Sequence, residues 1–175
     1  ASNNPNGDSV INNGSAGGST LTFNPSGTSS TTYNGVIGGG GTNQNLITVV
    51  KTGTGTQTLT NGNDNYTGGT FIEAGALAIT TDGALGNTDS GAVTITDGAT
   101  LQFNNGLTFS HAIVLGSGGG TLNGNLDDVM NASITGGTGL TITGGDILAN
   151  EGAANDIGTI TVTNFGTRLL LFTSN

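Results

Sequence analysis

The sequence contains no cysteine and very little positive charge. Without cysteine, the chain has no disulfide bond, no thiolate metal site and no cysteine nucleophile. Lys51 and Arg168 are the only lysine and arginine, against eleven acidic residues, and the formal net charge is −9. A surface that binds nucleic acid or an anionic membrane needs several basic side chains. We therefore expect neither nucleic acid nor a membrane among the partners of this protein.

Long apolar stretches and helical periodicity are missing as well. No apolar run approaches the ~18–20 residues of a helix that spans a membrane, so we expect no membrane insertion. Apolar residues do not recur at the spacing of three and four residues that is typical of an amphipathic helix. We therefore expect almost no α-helix.

Charged residues make up only 7% of the chain, whereas about a quarter is usual. A disordered chain combines high charge with low hydrophobicity, but here 33% of the residues are hydrophobic. Glycine, threonine and asparagine together form about half of the sequence, which favours an ordered, repetitive β-structure with frequent corners. The 175 residues have the size of one domain. Because the chain begins at Ala1 without a methionine or a signal peptide, we expect a processed chain or a segment of a longer protein.

Pairs of apolar residues separated by one other residue recur from Leu21 onward. In a strand, this spacing places both apolar side chains on one face. The intervening residue is usually threonine, alanine, glutamine or valine, and threonine suits a pleated surface that is exposed on its other side. The pairs are Leu21/Phe23, Leu77/Ile79, Val93/Ile95, Leu101/Phe103, Leu107/Phe109, Ile113/Leu115, Leu140/Ile142 and Ile160/Val162. They predict a series of short strands.

Asn-Gly and Asp-Gly dipeptides, such as Asn61-Gly62 and Asp97-Gly98, separate the apolar pairs. Asparagine and aspartate tolerate the left-handed region of the backbone, and glycine adopts it freely. Such dipeptides also begin β-hairpins, so an antiparallel sandwich is the alternative fold. Strands of only about 3–5 residues and similar segments every ~20–25 residues favour stacked units, whose apolar faces are buried only by their neighbours.

The stretch from Thr54 to Ile79 reads TGTQTLTNGNDNYTGGTFIEAGALAI. It resembles the passenger-associated transport repeat of bacterial autotransporters. The matching residues are Gly55, Thr56, Thr58, Leu59, Thr60, Asn63 or Asn65, Tyr66, Thr67, Gly68, Gly69, Thr70, Ile72, Ala74, Gly75 and Leu77. Gln57 departs from the pattern, because it stands where the repeat has its first leucine. This departure predicts either a polar side chain in the core or a local shift of the coil.

The resemblance implies an all-β, right-handed parallel β-helix, a β-solenoid displayed outside the bacterial cell. We expect about seven to nine coils, which at ~4.8 Å per coil give a rod ~40 Å long. Residues 1–20 are expected to form an irregular N-terminal coil or cap, and residues 21–175 one continuous solenoid. The best match to the repeat lies at residues 54–103. Asparagine and threonine at equivalent corners are expected to form ladders that satisfy each other's side chains between coils.

His111 is the only histidine, and the acidic residues include one adjacent pair. One imidazole without cysteine or a second histidine does not form the usual zinc site, so we expect His111 to be structural. The pair Asp127-Asp128 is the candidate calcium site, because calcium requires several converging oxygen ligands. The calcium-binding β-roll motif is not met, since Thr141 stands at the position of its acid. We expect no other metal and no cofactor.

No acidic residue lies in a recognisable catalytic motif, and the sequence has no G-x-S-x-G element. The glycine-rich runs are not followed by lysine or by a helix, which argues against a phosphate-binding loop. We therefore expect that the protein is not an enzyme. A polysaccharide lyase or hydrolase, with acids from neighbouring coils brought together, is the least favoured alternative.

Four consecutive bulky apolar residues near the C-terminus form the candidate self-assembly end: Leu169, Leu170, Leu171 and Phe172. In a strand they would place apolar side chains on both faces. Solenoids usually finish in a polar cap, because an uncovered end is a template for further strands. We expect either that a longer chain continues past this end or that another copy covers it. The second case gives a head-to-tail homopolymer, since such heterologous contacts do not close.

These observations predict a secreted structural protein of a bacterial cell surface. It would be the subunit of an extracellular fibre that assembles by end-to-end stacking, or the stalk of a larger surface protein. The alternative is an adhesin passenger that contacts glycans or host surface proteins.

Overall fold

Short parallel strands, separated by tight corners, form almost all of the regular structure. The computed structural model describes residues 2–3, 9–10, 13–88, 91–125, 128–137, 139–145, 147–149, 158–165 and 169–170. The strands are β1 (Ser2–Asn3), β2 (Ser9–Val10), β3 (Ser19–Phe23), β4 (Ser30–Tyr33), β5 (Ile47–Lys51), β6 (Thr56–Leu59), β7 (Thr70–Ile72), β8 (Ala76–Ile79), β9 (Val93–Ile95), β10 (Thr100–Phe103), β11 (Thr108–Phe109), β12 (Ile113–Leu115), β13 (Gly120–Gly124), β14 (Asp128–Met130), β15 (Ile134–Thr135), β16 (Leu140–Gly144), β17 (Ile147–Ala149), β18 (Ile160–Phe165) and β19 (Leu169–Leu170). One 3-10 turn spans Asp82–Leu85. Among the described residues, no helix is long or apolar enough to cross a membrane.

The strands stack into three parallel sheets. A long sheet has the order β18-β16-β13-β10-β8-β6-β4, a six-stranded sheet the order β15-β12-β9-β7-β5-β3, and a four-stranded sheet the order β11-β14-β17-β19. Every pairing within these sheets is parallel, and among the described strands only β1 and β2 pair antiparallel. The chain is therefore a parallel β-solenoid with almost no helix, as predicted, and not an antiparallel sandwich.

The solenoid has about five turns, fewer than the seven to nine that the sequence predicted. The six strands of the six-stranded sheet are joined by five passages of the chain around the solenoid. An irregular segment at residues 34–46 lengthens the first passage, which returns the chain to the sheet where Ile47 pairs with Ser19. The long sheet gains its seventh strand, β18, only after residues 150–157, which lie outside the described part. Five turns at ~4.8 Å give a stack ~24 Å long rather than ~40 Å.

The core consists of inward-facing columns in which equivalent residues of successive turns lie on top of one another. In the long sheet, Leu77, Leu101 and Leu122 are aligned, and each is fully buried. Alternate residues of each strand face inward, because the side-chain period of a strand is two. The apolar pairs in the sequence are therefore the rungs of these columns, and each rung is shielded by the rungs above and below it.

Gln57 occupies a position in the same column, directly below Leu77 in the register of the sheet. Its side chain is 4% exposed, so a polar side chain enters the core without any shift of the coil. The hydroxyl of Thr31 donates to Gln57 Oε1 at 2.7 Å, and Gln57 Nε2 donates to the carbonyl of Thr58 at 3.0 Å. These bonds offset the cost of burying the amide.

Asparagine side chains connect the corners that follow the long sheet. Asn61 Nδ2 donates to the carbonyl of Asn34 at 2.9 Å, and Asn125 Nδ2 donates to the carbonyl of Asn104 at 2.6 Å. These side chains bond to the backbone of the preceding turn. The sequence had predicted bonds between equivalent side chains, and at these two corners that prediction is wrong.

Close stacking of the turns also requires glycine. Gly75 has φ +64°, and a Cβ atom there would lie 2.5 Å from the carbonyl oxygen of Gly55.

Candidate functional site

The last described strand of the long sheet leaves apolar residues uncovered. Ile160 and Val162 of β18 are 37% and 41% exposed, although they continue the column of Leu140 and Ile142, which are each 1% exposed. The difference arises because no described turn lies beyond β18. An inward-facing apolar position is thus exposed to solvent at this end of the stack.

The predicted self-assembly residues are only partly described. Leu169 and Leu170 form β19, which pairs in parallel with Ile147 and Leu148 and is the last strand of the four-stranded sheet. Leu171 and Phe172 lie outside the described residues. Their role in assembly stays a prediction.

The N-terminal edge of the solenoid also presents apolar side chains. Leu21, Phe23 and Tyr33 belong to β3 and β4, which end the six-stranded and the long sheet, and all three are half-buried against the core. The rings of Phe23 and Tyr33 pack with their centroids 5.9 Å apart. Both ends of the stack therefore present apolar side chains on strands that end their sheets in the described part of the chain.

Asp128, one of the two candidate calcium ligands, is a buried residue that fixes a corner. Its Oδ1 atom accepts the N–H of Leu107 at 3.0 Å, and its Oδ2 atom accepts the N–H of Asn125 at 2.8 Å. Both carboxylate oxygens are thus used by backbone amides. In the part of the chain that the structure describes, no three acidic or histidine side chains converge in a way that could hold a metal. Asp127 lies outside that part, so a calcium site at the pair remains a prediction.

His111 is completely buried and bonds to an acidic side chain of the preceding turn. Its Nδ1 atom lies 3.0 Å from Asp82 Oδ1, which also accepts the N–H of Ser110 at 3.0 Å. The Nε2 atom has no partner. This arrangement suits an imidazole that carries its proton on Nδ1, because a buried donor without an acceptor is costly. The dyad joins two turns, as expected of a structural histidine.

Lys51 is a buried cation in an apolar column, which the sequence analysis did not predict. It is aligned with Ile72 and is 0% exposed. Its Nζ atom donates to three carbonyls, those of Thr52 at 2.7 Å, Gly53 at 2.9 Å and Ala74 at 3.0 Å. Burial lowers the pKa of the Lys51 amine. The alternation of Ile47, Val49 and Lys51 was the signal that could have placed it on the inward face.

Asp64 is a second buried charged residue that sequence reasoning missed. It is 6% exposed, and its Oδ1 atom accepts the N–H of Ile37 at 2.8 Å, which ties the irregular segment 34–46 to the next turn. The Oδ2 atom has no partner. Burial raises the pKa of Asp64 to about 7, although the bond from Ile37 acts in the opposite direction. Asp64 in turn contributes to a raised pKa of Tyr66, which burial causes in the first place.

A groove on the outer surface contains an exposed aromatic ring between acidic and hydroxyl side chains. It lies at the corner that leads from the six-stranded sheet to the long sheet and has a volume of about 270 Å³. Its lining residues are Phe71, Glu73, Thr94, Thr96, Asp97 and Ser117. Phe71 is 38% exposed, whereas Phe23 is half-buried and Phe103 and Phe109 are buried. A groove of this kind can bind a ligand that offers both donors and apolar surface.

Comparison with known proteins extends the description of the fold. The three parallel sheets define a parallel β-solenoid, and a family model, the passenger-associated-transport-repeat (PATR), matches residues 49–79. The match runs from within β5 to the end of β8, which includes Gln57 and all of Thr54–Ile79. The predicted repeat is therefore confirmed, and repeat and solenoid together fit the passenger β-helix of an autotransporter. No curated protein and no solved structure matched the chain.

The repeat also bears on the class of protein. It fits an autotransporter passenger domain, and such domains belong to secreted or cell-surface proteins. Whether the chain has a catalytic activity is not tested by the repeat or by the fold, and its absence stays a prediction.

Proposed function

We propose that this protein is a structural element of a bacterial cell surface, either the subunit of an extracellular fibre or the stalk of a larger surface protein. The repeat supports display outside the cell. The observation that carries the structural role is the exposure of Ile160 and Val162, which continue a buried column. A further turn, supplied by a longer chain in a stalk or by a second copy in a fibre, would complete such a column.

A second copy of the chain offers that turn. The N-terminal edge strand β4 has the same parallel geometry as the strand that would follow β18, and β4 lies at the opposite end of the long sheet. Stacking would pair backbone groups of the end strands β18 and β4 of two copies. It would also bury the exposed parts of Ile160 and Val162, which stabilises the contact by ~1 kcal/mol for each side chain. Because the contact is head-to-tail, it propagates into a filament.

Electron microscopy and light scattering of the purified chain test this proposal. We expect filaments whose length grows with protein concentration. The variant Val162→Lys is expected to stop growth, because a charge enters the stacked column. The matched control is Thr161→Lys, since Thr161 belongs to the opposite, outward face of the same strand. Fibre assembly would be refuted by a monomer at all concentrations or by equal growth of the Val162→Lys variant.

An adhesin passenger that contacts glycans or host surface proteins is the second candidate. The groove around Phe71 favours it, because an exposed aromatic ring with flanking carboxylates is typical of a binding surface. Binding of the purified chain to immobilised host-cell surface extracts, compared with a Phe71→Ser variant, distinguishes this function from assembly. An adhesive role through this groove requires that the variant binds less while its filaments remain unchanged.

A further inference from the structure

The groove around Phe71 is built by three successive turns. Glu73 follows β7, Asp97 follows β9, and Ser117 follows β12. These residues occupy neighbouring corners, and the N–H of Asp97 donates to the carbonyl of Ser117 at 2.8 Å. Phe71 is aligned with Thr94 on the outer face of the six-stranded sheet. The groove is therefore a product of stacking, and no single repeat contains it.

The corners at the groove are tightly packed and have a constrained backbone. A Cβ atom at Gly116 would lie 2.5 Å from the Cγ2 atom of Thr96, so no side chain can stand there unless Thr96 shifts. Asp97 has φ +53°, in the left-handed region, and lies at the tip of its corner. Gly118 of the next turn also has a positive φ of +77°. These features place an exposed acidic side chain at the rim of the groove.

The charge of the groove has no counterpart among the described residues. Glu73 and Asp97 are both exposed, and the ion pair found in the described part of the chain is that of His111 with Asp82. The amine of Lys51 does not neutralise these carboxylates, because its three donors are directed to backbone carbonyls. Carboxylates only accept hydrogen bonds, so a ligand must supply the donors. The face of an aromatic ring also attracts cations.

We propose that this groove binds the alkylammonium end of a lysine-like ligand. The ammonium group lies between the Glu73 and Asp97 carboxylates and donates to them, and the methylene stem crosses the ring of Phe71. An ammonium group has three donors and no acceptor, which matches this set of partners. The net charge of −9 raises the local concentration of cations around the chain. The hydroxyl groups of a neutral sugar can also donate to these carboxylates, but a sugar lacks the ionic attraction that an ammonium group adds. The inference does not depend on end-to-end assembly.

The same chemistry occurs in the lysine side chain of a partner protein and in a free diamine. Nuclear magnetic resonance titrations of the ¹⁵N-labelled chain, with its termini blocked from stacking by Val162→Lys, distinguish these sources. The probes are Nα-acetyl-lysine methylamide, 1,5-diaminopentane and, as the matched neutral stem, Nα-acetyl-norleucine methylamide. Because exposed ion pairs are weak, we expect a dissociation constant on the order of 10 mM.

With the lysine derivative, we expect saturable shifts of the amides of Phe71, Thr94, Thr96 and Asp97, and no shifts with the norleucine derivative. Binding of both amines supports recognition of the ammonium group whatever its source, and binding of the lysine derivative alone assigns the groove to a protein side chain. Binding of the diamine alone assigns it to a free amine. Equal shifts with norleucine, or shifts spread over all acidic corners, would overturn the proposal.

Variants of the groove give a second test. Glu73→Gln and Asp97→Asn are each expected to weaken binding of the lysine derivative about 3-fold or more, as for the loss of one surface ion pair. Asparagine keeps the left-handed corner at position 97. Val114→Ala is the control, because Val114 is exposed on the same face beside Thr94 but does not line the groove. Unchanged affinity in the double variant Glu73→Gln/Asp97→Asn would exclude the site.

Discussion

The buried carboxyl group of Asp64 is expected to make the solenoid less stable as the pH rises from ~4 to ~7. Its carboxyl group is buried with one oxygen unpartnered, and burial raises the pKa from 3.8 to about 7. The native state therefore holds the proton more tightly than the unfolded state. Below pH ~4 the group is protonated in both states and costs nothing. The stability is lost progressively as the pH rises from ~4 to ~7, and above that the loss is constant.

The size of the effect follows from the shift. About three pKa units correspond to ~4 kcal/mol of unfolding free energy, at 1.36 kcal/mol per unit. This is an upper value, because the carboxylate keeps the hydrogen bond from Ile37 and water can enter when the group ionises. It is nevertheless a large part of the ~5–15 kcal/mol that stabilises a typical domain. Every titrating group of the chain contributes to the total pH dependence, so a variant is needed to isolate Asp64.

Urea unfolding followed by circular dichroism at pH 4.5 and pH 8.5 measures the effect. Asp64→Asn removes the ionisation and keeps an oxygen that can accept the N–H of Ile37. Because the unfolded carboxyl group is already mostly ionised at pH 4.5, we expect the variant to gain up to ~3 kcal/mol relative to the native sequence between the two pH values. Asn61→Ala is the control, because it removes a corner bond without a titrating group and should cost the same at both. A difference between Asp64→Asn and the native sequence that does not change with pH would refute the reasoning.

Three further predictions concern the interior. Gln57→Leu is expected to raise the unfolding free energy by ~1 kcal/mol, because leucine extends the apolar column and removes the buried amide oxygen and nitrogen. Gln57→Ala should lower the unfolding free energy, and chemical denaturation measures both variants. Lys51→Met should lower the unfolding free energy by ~1–3 kcal/mol, because it leaves three carbonyls without a donor. In the native sequence, the Lys51 amine should react with acetic anhydride only after unfolding, which mass spectrometry measures. Leu101→Ala should cost ~3 kcal/mol and Thr100→Ala less than ~1 kcal/mol, and equal losses would contradict the assignment of inward and outward faces.

The strands and the repeat could be predicted from the sequence, because each is contained in one continuous stretch of the chain. The pair Leu101/Phe103 is enough to predict an inward face, since alternation is a property of a single strand. The repeat at Thr54–Ile79 likewise lies within one continuous stretch. The number of turns was not accessible, because it depends on how much chain each corner takes. Residues 34–46 have no periodicity, and only the pairing of Ser19 with Ile47 shows how far they extend the first turn.

The candidate sites divide in the same way. His111 was expected to be structural, and its bond to Asp82 of the preceding turn agrees with that expectation. The groove was not anticipated, because its acids, Glu73 and Asp97, are ordinary corner residues in the sequence. They become neighbours only through the register of β7 and β9.

The sequence by itself determined that the chain forms short strands with one apolar face, because side-chain alternation is local. Only the tertiary structure decided what each inward position touches. Lys51 shows the difference. Its place in the alternation puts Lys51 on the inward face. Its amine is tolerated there because it donates a hydrogen bond to the carbonyl of Ala74, which belongs to the next turn. Contacts between turns depend on the register of stacking, which no single stretch of sequence contains.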